Sequence, residues 1–268
     1  MKLKVFKSLW GLAPITEWAL ASQEATGYAG IEFKSLSIPD STNFRDWLHK
    51  FHLDFIAQIH TEGLDVEQHL ISFESLIQIA LGFDPVLINS QSGRDSWSLS
   101  DKCRFLEKAL RLEEKYGIPI AHETHRSRMT YTPWDTRALA EAFPSLHICA
   151  DLSHWVNVCE RLLTTEKSDL KKVFSACIHI HARVGYEQGP QVPDPRAPEY
   201  KIQLEAHEGW WQQIWKNQHD RGMAVSTVCP EYGPVPYQHS LPFTNKPVAD
   251  IHEISDWAMH SLQSSFKF

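Results

Sequence analysis

The chain has 268 residues, with 26 Lys plus Arg against 33 Asp plus Glu and a formal net charge of −7. Hydrophobic residues make up 43% and charged residues 22%, which suits a folded globular chain and argues against disorder, a collagen repeat or a coiled coil. The acidic balance also disfavours nucleic acid as a partner, because phosphate binding draws on clustered Lys and Arg.

The N-terminal LKVFKSLW reads as a strand over 3–10, and its apolar stretch is too short for a signal peptide. A helix near 16–27 and a strand over 28–33 (YAGIEF) follow, then a helix near 42–52 and a strand over 54–60 (DFIAQIH). Val66, Leu70, Phe73, Ile77 and Leu81 recur at spacings of three and four, which predicts a helix over 65–82 before a strand over 85–90. Leu99, Cys103, Leu106, Leu110 and Glu113 recur in the same way over 99–116, where Gly117 and Pro119 end the helix. The remaining strands are 118–124 (IPIAHET), 147–152 (HICADL), 176–183 (ACIHIHAR) and 224–231 (AVSTVCPE). The helices between and after them lie near 133–143, 157–174, 207–221 and 249–265. Five cysteines, an odd number with no CxxC pair, argue against a disulfide framework and a structural zinc site. Nothing reads as a membrane span, and a soluble, cytoplasmic protein is expected.

Eight strands and eight helices in strict alternation imply a parallel sheet with helical crossovers. Eight units in this length predict a closed (β/α)8 TIM barrel, one domain over 1–268, and no GxGxxG turn favours an open sheet instead. Catalytic groups of such barrels sit at the C-terminal strand ends. Those ends carry Glu32, His60, Asn89 with Gln91, Glu123 with His125, Asp151, His181 with Arg183, and Glu231, whereas the opposite ends are mostly apolar or turn residues. Alternation sets Ala121, Cys149, Cys229, Thr227 and His179 below this ring, with His179 as a core histidine, and turns Ile178, Ile180 and Ala182 towards the helices.

Glu123, Asp151, His181 and Glu231 are of the right types for one divalent cation. Three carboxylates and an imidazole suit manganese first, with magnesium, cobalt, iron(II) or zinc as alternatives. A single strand-end carboxylate more often caps the next helix; it is the set of four on consecutive strands that points to a metal.

AHETH around Glu123, CADLSHW with Asp151 and His154, HIHA ending at His181 and CPEYGP with Glu231 together resemble the xylose isomerase-like barrels. The similarity is to the sugar isomerases and epimerases related to ketose 3-epimerases and hydroxypyruvate isomerases. The resemblance implies that Glu123, Asp151, His181 and Glu231 bind the metal, and that Glu123 and Glu231 exchange a proton beside a carbonyl through an enediolate. It implies that His154 and Arg183 orient a carbohydrate substrate, with His60, His125, Asn89 and Gln91 as further contacts. Position 187 departs from the ketose 3-epimerases, being Glu187 where an arginine is usual, so an anionic sugar held by Arg126, Arg128 or Arg183 comes into view.

Rival readings are a lyase or deglycosidase using the same proton abstraction, a non-catalytic sugar-binding barrel, and an apurinic endonuclease. The last needs an Asp-x-His after strand seven, where Asp194-Pro195-Arg196 stands. The long segments 184–206 and 232–248 are expected to form a lid or a subunit contact in a homo-oligomer. Trp210 and Trp211 open the seventh helix and read as helix packing, with stacking on a sugar as the alternative.

Overall fold

The computed structural model describes residues 1–11, 26–38 and 40–268. Its strands are β1 (Lys2–Ser8), β2 (Gly30–Lys34), β3 (Asp54–His60), β4 (Leu87–Gln91), β5 (Ile120–Glu123), β6 (His147–Ala150), β7 (Cys177–His181) and β8 (Val225–Cys229). They close into one parallel barrel in chain order, β8 returning to pair with β1. The described helices are α1 (Ser41–Phe51), α2 (Val66–Leu81), α3 (Leu99–Tyr116), α4 (Pro133–Ala142), α5 (Leu152–Cys159), α6 (Lys167–Phe174), α7 (Lys201–Asp220) and α8 (Ile251–Ser265).

The predicted (β/α)8 barrel is therefore present, with local corrections. The helix expected near 16–27 lies almost wholly outside the described residues, and Thr26 and Gly27 form a turn. The helix expected over 157–174 is two helices, because Glu160 adopts a left-handed conformation at φ 51° and closes α5. Arg161 then turns back to Glu166 at 2.6 Å, and α6 starts afresh. Helix α7 begins at Lys201 rather than near 207, so Trp210 and Trp211 lie mid-helix, both buried in the outer core. Its first turns were missed because Ile202 there is exposed: good helix formers carry that segment without an apolar stripe.

Alternation along the strands separates two cores. Phe6, Ile56, Leu87, Ala121, Cys149 and Cys229 form a cluster inside the barrel, small on β5, β6 and β8 and large on β1, β3 and β4. Ile180 and Ala182 join the outer core as expected, but Ile178 packs against the inner cluster. The register explains it: Ile148 pairs with Cys177 and Cys149 with His179, so Ile178 is the extra residue of a bulge. Gly30 marks a close approach of β2 to its neighbours, since a Cβ there would lie 2.3 Å from the Asp54 carbonyl oxygen and 2.6 Å from the Phe6 ring. All five cysteines are free, and among the described residues no helix is long and apolar enough to cross a membrane.

Candidate metal centre

Four consecutive strands deliver four donors to one point. Glu123 ends β5, Asp151 follows β6, His181 ends β7, and Glu231 lies two residues beyond β8. One donor atom from each lies within 4.8 Å of the other three. Glu123, Asp151 and His181 have no exposure and Glu231 only 5%.

Each donor is fixed by its neighbours. Asp151 Oδ1 caps α5, accepting from the Ser153 backbone N–H at 3.1 Å and from the Ser153 hydroxyl. Its Oδ2 accepts from Arg183, so the helix-cap role and the site role fall on different oxygens of one carboxylate. Glu123 Oε2 accepts from Asn89 Nδ2 at 2.9 Å and from Gln91 Nε2 at 3.3 Å. Gln58 Nε2 donates to Glu231 Oε1 at 2.5 Å and to Glu32 Oε1 at 3.2 Å.

His181 has two unlike faces. Its Nε2 sits 2.8 Å from Glu32 Oε1, and its Nδ1 lies 3.1 Å from Glu231 Oε2 and 3.8 Å from Glu123 Oε1. That Nδ1 is buried and makes no hydrogen bond. Burial lowers the His181 pKa, but Cys149 and the Glu231, Glu32 and Glu123 carboxylates outweigh it, so the cage favours a positive charge. Burial raises Glu123, and the charges of Glu231 and Asp151 add to that rise against the pull of His181. Burial acts the same way on Glu231, but His181 and Arg183 outweigh it and hold this carboxyl low. An unpartnered buried nitrogen facing crowded carboxylates suits a divalent cation, and these residues fit one.

Glu32 is the residue that sequence reading left without a role. It has no exposure and accepts from His179 Nε2 at 2.9 Å as well as meeting His181. Its place at a strand end and on the inward face of β2 was legible, but its two imidazole partners come from β7, across the barrel. His179 is the hydrogen-bonded core histidine expected, its other nitrogen 2.8 Å from Thr227 Oγ1.

A cavity of about 460 Å³ opens above the donors, and Glu231 lines it. Of the residues expected to contact substrate, His60, Gln91, His125 and Arg183 line it, whereas Asn89 and His154 do not. Asn89 is buried beneath, between Glu123 and His181. His154 is buried behind His125, their ring centroids 3.8 Å apart, with Nε2 2.9 Å from Arg183 Nη2. Lys34, Gln58, Trp10 and Tyr237 line the cavity without having been singled out. Tyr237 has no signal in the sequence, because only the folded course of its long loop brings it there. Both the Arg126 and Arg183 guanidiniums lie 5.0 Å from its ring centroid. That loop is tied to the one after β7 by the pair Gln191–Gly233, at 3.1 and 2.8 Å.

No family model and no curated protein sequence matches the chain. Solved structures do. A zinc-bound IolI protein superimposes with a TM-score of 0.66 at 13% identity over 100% of both chains. A xylose isomerase-like TIM barrel protein from Mycobacterium smegmatis, in complex with magnesium, gives 0.63 at 15% identity over 98% of each chain. The 3-keto-D-glucoside 4-epimerase YcjR from E. coli gives 0.60 at 12% identity over 98% of this chain and 99% of its own. The chain has the xylose isomerase-like barrel fold. Within the barrel, Glu187 meets Gln203 Nε2 at 3.2 Å. Asp194, where the endonuclease reading wants an Asp-x-His, is engaged by Arg196 at 2.7 Å.

Proposed function

We propose that the chain is a divalent-metal-dependent enzyme that isomerises or epimerises a sugar, sugar acid or sugar phosphate by moving a proton beside a carbonyl. The observation that carries this reading is the convergence of Glu123, Asp151, His181 and Glu231 within 4.8 Å beneath a substrate-sized cavity. The zinc bound to one similar structure, the magnesium bound to another, and the 4-epimerase among them support it. Manganese heads the candidate metals, with magnesium, zinc, cobalt and iron(II) behind it.

Glu123, Asp151, His181 through Nδ1, and Glu231 would hold the ion, which supplies Lewis-acid polarisation of a substrate carbonyl. Glu231 reaches the cavity, with Oε1 pinned by Gln58, and takes the proton from the carbon next to that carbonyl. Glu123, held by Asn89 and Gln91, is the second carboxylate of the exchange. His60, Gln91, His125 and Arg183 stand at the cavity wall to orient substrate oxygens. Proximity supplies much of the rate, since a carboxylate beside a cation is a weak base.

The test is a panel of ketoses, ketose phosphates and keto-sugar acids in deuterated water, with metal content measured in parallel. Deuterium in recovered substrate or product is expected from the wild type. Glu231→Gln should lose both exchange and metal, and full activity of that variant would sink the two-glutamate scheme. A dehydrated or cleaved product would instead assign the same proton abstraction to an elimination.

A further inference from the structure

We infer that the cavity mouth carries an anion subsite built on Lys34, which selects a substrate bearing a carboxylate or phosphate away from the reacting carbonyl. The inference rests on the function proposed above and deepens it to a substrate class.

Lys34 ends β2 two residues beyond Glu32, so alternation turns both side chains inward. Glu32 is buried among the histidines, whereas Lys34 is half-buried and lines the cavity. Among the described residues no carboxylate lies within 4.0 Å of its ammonium, while the other basic groups at this end are engaged. Arg183 is bound to Asp151, and Arg128 donates to the Thr61 carbonyl oxygen at 3.0 Å. Arg126 lies over the Tyr237 ring.

The acidic groups nearby are taken up as well. Glu231 is held by Gln58, and Glu32 by two imidazoles. The neighbouring His60 is neutral near pH 7: burial, with the charges of Lys34 and Arg128 beside it, holds its pKa at about 4. Lys34 thus brings to the cavity a positive charge that has no carboxylate partner among the described residues, and the cavity, of about 460 Å³, admits a monosaccharide derivative. A ligand anion there would make charge-assisted hydrogen bonds, roughly twice as strong as neutral ones. Lys34 then discriminates charged from neutral sugars, which the donor cluster, engaging only the carbonyl end, does not do.

The experiment is calorimetric binding to the full, manganese-loaded chain of D-fructose, D-fructose 6-phosphate and 5-keto-D-gluconate, with inorganic sulfate as a probe that needs no sugar. At least one charged sugar is expected to bind about tenfold or more tightly than D-fructose, and the tighter of the two identifies phosphate or carboxylate as the natural end. Lys34→Met should bring that ratio towards one and abolish sulfate binding, and Lys34→Arg should keep both. D-fructose binding as tightly as the charged sugars, or sulfate binding neither or both of wild type and Lys34→Met, overturns the subsite. Deuterium exchange reports separately on the proposed function: a Lys34-dependent charge preference without exchange in any sugar would leave the subsite standing and remove the chemistry.

Discussion

At Glu32 one carboxylate meets two imidazoles, His179 Nε2 at 2.9 Å and His181 Nε2 at 2.8 Å. That contact sets the orientation of His181 and turns Nδ1 towards Glu123 and Glu231. Carboxylate partners of ligating histidines typically account for about 10–100-fold in metal affinity. Glu32→Gln is therefore expected to weaken manganese binding by about that factor with the fold retained, read by metal titration and circular dichroism. Undiminished affinity would show that the imidazole is positioned without Glu32. The four candidate donors were legible because each stands at or just past a strand end, where period-two alternation fixes its face. The role of Glu32 was not, since it depends on residues 147 and 149 positions away in sequence.

At the scale of elements, α7 and β2 carry the sharpest consequences. His207 on α7 lies buried with Nδ1 2.8 Å from the Gln203 carbonyl oxygen, and Nε2 accepts from the Gly185 N–H at 3.3 Å. It thereby ties the loop after β7 to the helix. Burial, against the Gln203 contact, lowers its pKa to about 4. The unfolded chain binds this proton first, so the contribution of His207 is complete above about pH 6.5 and is lost as pH falls towards 4. The loss amounts to roughly 3 kcal/mol. Denaturant titrations from pH 7 to 4 should show it, and His207→Gln should flatten that slope. On β2, Gly30→Ala would drive a Cβ against the Asp54 backbone, so a destabilisation of about 3 kcal/mol or more is expected in chemical denaturation. The split between α5 and α6 was not legible, because Glu160 is not a residue that composition marks for a left-handed turn.

For the whole molecule, the donors come from four adjacent staves of one closed sheet, so an ion bound by them couples β5, β6, β7 and β8. Binding to the folded state alone stabilises it by about 2.7 kcal/mol at a hundredfold excess over Kd. For a chain of this size that corresponds to a rise in melting temperature of about 5–10 °C. Manganese should produce such a shift, and a chelator should reverse it. An unchanged melting temperature would argue against a metal site. Combining Asp151→Asn with Glu231→Gln should abolish the shift.

The sequence by itself determined the strand–helix rhythm, the closed eight-stranded barrel and the gathering of Glu123, Asp151, His181 and Glu231 at one end of it. These follow from local periodicity and from the rule that strand ends face one mouth. Tertiary structure alone decided which side chains meet across the barrel: Glu32 with His179 and His181, Arg183 with Asp151, and His154 behind His125 rather than at the cavity. It also decided that Lys34 lines the cavity with no carboxylate beside it among the described residues. The physical reason is that alternation fixes which way a side chain points, whereas its partner depends on the closure and register of a sheet joining residues far apart in the chain.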